Sequence, residues 1–324
     1  MMPFLQNCKT LFVFSDPGGA KACLAMAENF SADDVMIISD RNYGFYEDFV
    51  NIISLSSIDE ISSIIDNFSP KQVITGTSYT SKIELHAIKI AQNKGIVLYS
   101  FVDHWTKIKE RFYIAPSLLM LPDYILVIDD EAKKIAIESG LPPEKIIIIG
   151  NPYHIWLSSW QSKISRNNFL EIHSIKTTNS KLILYAPDPL SNVDGINEYG
   201  FDELVITTSL ISIINTNVNF FNDFVFLLKP HPNQNLAELN KILNGHDKIL
   251  LLSQDIGVNE CIYFADIIIG FFSSLLIEAK IQKKSIIRIY EGFIDKDPFK
   301  NQDIGVLTNV KGLIKIMKNL EYER

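Results

Sequence analysis

The chain has 324 residues, 47% of them apolar, and a formal net charge of −8, a length that suits about two domains, each able to bury its own core. A pI near 5.3 argues against general nucleic-acid binding, which needs a basic face. No apolar run reaches the roughly 18 residues needed to span a bilayer, and the three distant cysteines, Cys8, Cys23 and Cys261, fit neither a zinc spacing nor a disulfide framework.

The first residues have no basic region leading into an apolar stretch, so no signal peptide is expected and the cytoplasm is the expected compartment. The first half then alternates short apolar runs with longer periodic ones. Strands are expected at 10–15, 34–39, 72–75, 96–101, 124–128 and 145–149, and helices at 21–29, 58–68, 81–94 and 130–139. Strands separated by helical stretches predict βαβ units and a parallel sheet. Gly140-Leu141-Pro142-Pro143 stops the last of these helices. Asn151-Pro152 breaks the pattern, and 159–180 reads as a polar linker, with Trp156 and Trp160 docking between domains. Alternation resumes with strands at 182–186, 224–228, 248–252, 266–271 and 285–290, and helices at 202–214, 236–243, 257–264 and 274–282. A short helical pattern at 310–320 ends the chain. The expected architecture is two doubly wound, Rossmann-like α/β domains facing a cleft. They span 1–158 and 181–305, joined by the linker and followed by a helical segment over 306–324.

The residues that suggest chemistry cluster where expected strands end, and open parallel sheets bind ligands outside the carboxyl ends of their strands. In the second half, an apolar run leads into Lys229-Pro230-His231-Pro232. The two prolines restrict the backbone and fix where the imidazole points. A second apolar run ends in Ser273-Ser274 and opens a helical pattern, so hydroxyls and unbonded backbone N–H groups face an anion there. His231 and the serines, read as lying on neighbouring strand ends, make a seat for a nucleotide's phosphate. Glu278, one helical turn beyond Ser274, is placed to accept from ribose hydroxyls. Ala186-Pro187-Asp188-Pro189 follows another strand and carries only a weak, turn-like signal.

In the first half, Ser15-Asp16-Pro17-Gly18-Gly19 follows the first strand. Gly18 and Gly19 permit close backbone approach, and Asp16 is a candidate general base, with a turn or helix cap as its simpler role. Asp103 and His104 lie past the 96–101 strand and are candidate site residues, followed by the basic group Lys107, Lys109 and Arg111. Adjacent residues of an extended segment point to opposite faces, so Asp103 and His104 need not act together. Gly76-Thr77-Ser78 can line the acceptor side or cap a helix. Asp295-Lys296-Asp297 reads as a solvated turn, and no metal site is expected.

Taken together, Lys-Pro-His-Pro at one strand end and Phe-Ser-Ser at another resemble the GT-B glycosyltransferases. The resemblance is to bacterial enzymes that use CMP-activated sugars: sialyltransferases, polysialyltransferases and Kdo transferases of surface-polysaccharide assembly. It implies that His231-Pro232 and Ser273-Ser274 bind the CMP phosphate. It also implies an acid in the first domain, for which Asp16 before Gly18-Gly19 is the nearest match, although Pro17 interrupts the acidic-acidic-Gly form. The implied reaction is metal-independent transfer of a nonulosonic or ulosonic acid, with no cofactor beyond the nucleotide-sugar donor. The acceptor is a glycan or glycolipid, and Lys107, Lys109 and Arg111 attract an anionic acceptor or the inner membrane face. Two other enzyme types share the motifs. CDP-polyol phosphotransferases carry a His-Pro and a Ser-Ser. Enzymes of the UDP-GlcNAc 2-epimerase type place Ser and Glu at the donor, but their Ser-Gly-Gly and Glu-Glu stand here as Ser-Ser-Leu-Leu-Ile-Glu. A non-catalytic nucleotide-binding protein is the remaining alternative.

Overall fold

A computed structural model describes residues 4, 7–50, 53–176, 180–254 and 256–322. The first residues of the expected leaderless start, 177–179 of the expected linker and 323–324 of the final segment lie outside them. The chain divides into two compact units, Met1–Ser159 and Trp160–Arg324.

The first unit carries strands β1 (Thr10–Phe14), β2 (Val35–Ser39), β3 (Ile53–Leu55), β4 (Gln72–Thr75), β5 (Val97–Val102), β6 (Tyr113–Ala115), β7 (Leu118–Leu119), β8 (Tyr124–Val127) and β9 (Ile146–Ile148). Its helices are α1 (Pro17–Ala27), α2 (Ile61–Phe68), α3 (Ile83–Asn93), α4 (Asp130–Glu138) and α5 (Pro152–Leu157). The main sheet runs β3-β2-β1-β4-β5-β8-β9 with every pair parallel, and β6 and β7 form a small antiparallel pair. All five residues of β1 are buried. Both α1 and α3 pack on it, as a strand covered on both faces requires.

The second unit carries α6 (Arg166–Ile172), β10 (Lys181–Ala186), α7 (Gly195–Tyr199), α8 (Glu203–Thr216), α9 (Val218–Phe221), β11 (Phe224–Leu228), α10 (Leu236–Leu243) and β12 (Ile249–Leu251). It continues with α11 (Val258–Phe264), β13 (Ile267–Gly270), α12 (Ser274–Ile281), β14 (Ser285–Ile289), β15 (Val306–Thr308) and α13 (Leu313–Tyr322). Its parallel sheet runs β12-β11-β10-β13-β14-β15. Alternate residues of β10 feed different cores, because side chains along a strand point to opposite faces. Ile183 and Tyr185 join Phe201, Leu210 and Phe271. Leu182 and Leu184 join Phe169, Ile268 and Leu276.

Both sheets reverse their strand order beside their first strand, between β1 and β4 and between β10 and β13. Such a reversal opens a crevice at the strand ends of a doubly wound sheet. Two α/β units with this topology match the expected fold class.

Several local expectations change. The stretch read as a linker carries α6, whose Phe169 is fully buried. Trp156 stacks on Phe49, centroids 4.3 Å apart, within the first unit, and Trp160 meets Tyr263 edge-on within the second. Helix α1 begins at Pro17 rather than at 21, since proline suits the first turn of a helix, where its missing N–H costs nothing. No helix among the described residues is long and apolar enough to cross a membrane.

Candidate functional site

In the second unit the crevice is bounded by the loops after β10 and β13. Gly270 ends β13, and a methyl group there would press on Ala186 O and on Leu276 at 3.0 Å, so the glycine lets β10, β13 and α12 meet closely. Beyond it, Phe271 O accepts a hydrogen bond from Arg288 Nε at 2.8 Å, and Phe272 N–H donates to Asp188 Oδ2 at 3.1 Å. Ser273 takes the extended conformation of a helix N-cap, yet its hydroxyl makes no cap bond and has no partner. The first two amides of α12, those of Ser274 and Leu275, have no acceptor within the helix, Leu276 N–H donates to Ser273 O at 3.1 Å, and Ser274 is exposed. The result is a helix N-terminus with free donors, the arrangement that binds phosphate. Glu278 follows one turn later and is buried.

His231 sits in the loop after β11. Asn233 N–H donates to its Nδ1 at 3.1 Å, which leaves the proton on Nε2 and makes that nitrogen a donor. Burial and, next, the charge of Lys229 hold the imidazole pKa below its usual value. Lys229 itself is buried, with Nζ donating to Gln254 O at 2.8 Å and to Pro230 O at 3.3 Å. Gln254 Nε2 in turn reaches His231 O, Pro232 O and Gln234 O. The lysine therefore anchors the His-Pro loop, and Pro232 lies exposed on it. Fully buried Glu203 binds both Ser191 and Gln234 Nε2, tying this loop to the one after β10.

His231 and Ser273 are not on adjacent strands. Strand β10 separates β11 from β13, which puts their ends about two strand spacings, roughly 10 Å, apart. The loop between them carries Asp188. Asp297, expected in a solvated turn, is instead a fully buried partner of Arg288.

The first unit has its own cluster at the β1–β4 reversal. Asp16 Oδ2 accepts Tyr79 N–H at 2.8 Å, and Oδ1 accepts the Thr80 hydroxyl at 2.7 Å, so this carboxylate braces the loop after β4. Asp103 Oδ1 pairs with buried Arg111 Nη1 at 2.8 Å. The same nitrogen donates to Thr77 O and Oγ1. A methyl group on Gly18 would fall 1.7 Å from Asp103 Oδ2. Gly18 thus makes room for that carboxylate, and Gly19 packs against Gly76. His104 is exposed and turns back to Thr106 rather than joining Asp103. Lys107 and Arg111 both lie over the Tyr79 ring, 5.7 and 4.7 Å from its centroid, Arg111 being buried in its ion pair, while Lys109 Nζ lies against Gly140.

Sequence reading passed over one carboxylate, Glu84, and gave a second, Asp188, only a weak, turn-like signal. Glu84 on α3 is buried, accepts Ser15 N–H at 3.0 Å and the Ser78 hydroxyl, and is pushed up to about 7, first by burial. Asp188 is likewise pushed up to about 6, first by burial.

No family model matches the chain, and neither does any curated protein. Solved structures match along nearly its whole length. UDP-GlcNAc 2-epimerase from Neisseria meningitidis bound to UDP-GlcNAc is 14% identical with TM-score 0.64, covering 97% of this chain and 91% of that one. The same enzyme from Methanocaldococcus jannaschii is 14% identical with TM-score 0.63, covering 97% and 92%. Anabaena Alr3699/HepE in complex with UDP-glucose is 12% identical with TM-score 0.58, covering 97% and 90%. The expectation of a CMP-sugar glycosyltransferase is corrected by this finding, because the high-scoring neighbours include many UDP-GlcNAc 2-epimerases. The His-Pro and Ser-Ser motifs suggest a seat for phosphate, and such a seat would carry no information about the base or the reaction. What the likeness shows is the fold: two parallel-sheet α/β domains of the GT-B-like kind found in UDP-GlcNAc 2-epimerases.

Proposed function

We propose that this protein is a nucleotide-sugar enzyme that inverts one carbon of a UDP-linked amino sugar, with the diphosphate held at the N-terminus of α12. The observation that carries the reading is the whole-length likeness to epimerases, one of them solved with UDP-GlcNAc. The geometry of the second unit supports it. The Ser274 and Leu275 amides of α12, the Ser273 and Ser274 hydroxyls and the Nε2–H of His231 are donors suited to a diphosphate. Inverting a carbon that bears hydrogen by proton exchange needs one group to take a proton and another to return it. Asp16, Glu84 and Asp103, at the strand ends of the first unit, are of that chemical type. An isomerisation needs no acceptor, so the expected glycan or glycolipid acceptor and membrane contact are not part of this reading.

The test is proton NMR of UDP-GlcNAc incubated with the protein in D2O. A second UDP-linked amino sugar with deuterium at the inverted carbon is expected. Unchanged UDP-GlcNAc that nevertheless binds would leave a nucleotide-sugar binder and overturn the enzymatic reading.

A further inference from the structure

Asp188 has no part in the function proposed above, yet it sits at the centre of the second unit's crevice. It lies in the loop after β10, between the strand that leads to His231 and the one that leads to Ser273. Its Oδ2 accepts Phe272 N–H at 3.1 Å, while Phe271 O, at the other end of the same peptide group, accepts from Arg288 Nε at 2.8 Å. One peptide plane is thus gripped by an anion on its N–H and a cation on its oxygen, immediately before Ser273. Arg288 is itself fixed by buried Asp297, which also accepts Phe299 N–H at 2.9 Å. The orientation of the chain entering α12 is set by this pair of grips.

We propose that Asp188 is a positioning residue of the α12 anion seat and that it takes up a proton from solvent when a diphosphate binds there. The proposal rests on the reading of the second unit as the nucleotide seat. Two residues separate Phe272 from the Ser274 amide, at most about 7 Å of chain, so a bound phosphate places negative charge close to the carboxyl. The groups that face Asp188 already oppose one another. Burial raises its pKa most, to about 6, and Glu203 on α8 adds to the rise, while the N–H groups of Phe272 and of Asp188 itself, and Arg288 on β14, lower it. Tyr185, on the same strand, is buried and uncharged near neutrality, its hydroxyl paired with Thr207. An added unit charge within about 13 Å, that span plus a hydrogen bond at each end, raises the carboxyl's proton affinity severalfold where it is partly shielded from water. A protonated carboxyl still has an oxygen to accept Phe272 N–H, so the grip survives.

The test is calorimetry of UDP-GlcNAc binding at pH 7 in two buffers of different ionisation heat. The diphosphate of this ligand is a diester and does not titrate near that pH. The wild type is expected to take up a fraction of a proton from solvent, at Asp188, on binding, with affinity falling as pH rises from 6 to 8. Asp188→Asn should remove that uptake and flatten the pH profile. His231→Gln should weaken binding but keep it, which separates the carboxyl from the imidazole. Absence of uptake in the wild type, uptake that survives Asp188→Asn, or uptake lost entirely in His231→Gln each overturns the proposal. No binding of UDP-GlcNAc overturns the nucleotide reading, and this proposal with it.

Discussion

Glu84 is a carboxyl held where ionisation is costly. It lies on α3 beneath the ends of β1 and β4, with Ser15 N–H and the Ser78 hydroxyl as its donors, and the charges of Asp16 and Asp40 oppose its own. Its pKa rises from 4.5 to about 7 on folding. The folded state therefore binds a proton that the unfolded chain releases. The associated stability is fully present below the unfolded value and is lost as pH rises through about 7. Over that interval the difference is worth about 3 kcal/mol. Glu84→Gln keeps an oxygen for both donors and removes the titration. Its Tm should rise relative to wild type between pH 5 and pH 8, with the gap widening across that window. A Tm difference that stays constant from pH 5 to pH 8 would remove Glu84 as the source. Nothing in the sequence around Glu84 marks it, since its donor Ser15 lies 69 residues away. Asp188 follows an apolar strand too and so carried a weak signal, but its partner Phe272, 84 residues distant, could not be read from the sequence. His231 and Ser273-Ser274 were legible because each follows directly on an apolar strand, a local signal.

Among the elements, α1 shows how a strand end and a helix start are matched. Gly18 stands in its first turn with the Asp103 carboxylate against it, and Asp103 also neutralises buried Arg111. A carboxylate near a helix N-terminus is favoured by the helix dipole. Gly18→Ala must displace that carboxylate and loosen its pair with Arg111, at a cost of roughly 2 kcal/mol or more. Chemical denaturation of Gly18→Ala in wild-type and Asp103→Ala backgrounds checks this as a double-mutant cycle. The loss should shrink sharply in the second background, and an equal loss in both would show that Asp103 is not what the glycine accommodates. The elements themselves differed in legibility for related reasons. Strands such as β10 and β13, covered on both faces, read as continuous apolar runs. Edge strands β3 and β15 are short and partly exposed, so they carry no such pattern and were not anticipated. Helix α6 was hidden in a polar stretch because only Phe169 and Leu170 of its seven residues are buried.

For the molecule as a whole, the two units repeat one strand order but do not offer the same chemistry at its reversal point. In the second unit the N-terminus of α12 has free donors and an unpartnered serine hydroxyl. In the first, the corresponding turn of α1 already carries the chain's own Asp103 carboxylate, matched to Arg111. An incoming phosphate would have to displace that anion, whereas at α12 the nearby Asp188 carboxyl is turned to the Phe272 amide and leaves the helix start open. Nucleotide should therefore settle on the second unit alone. Hydrogen exchange followed by mass spectrometry reads this directly. With UDP at about 100 times its Kd, ligand-linked stabilisation approaches 2.7 kcal/mol, or close to a hundredfold slowing where exchange requires the bound region to open. Slowing is expected in peptides that cover 186–191, 230–234 and 271–279, because those loops share the hydrogen bonds that fix the seat. Peptides covering 15–20 and 76–80 should change far less. Protection confined to these first-unit loops would mean that Asp103 yields its place to phosphate, and that the free α12 amides serve some other group.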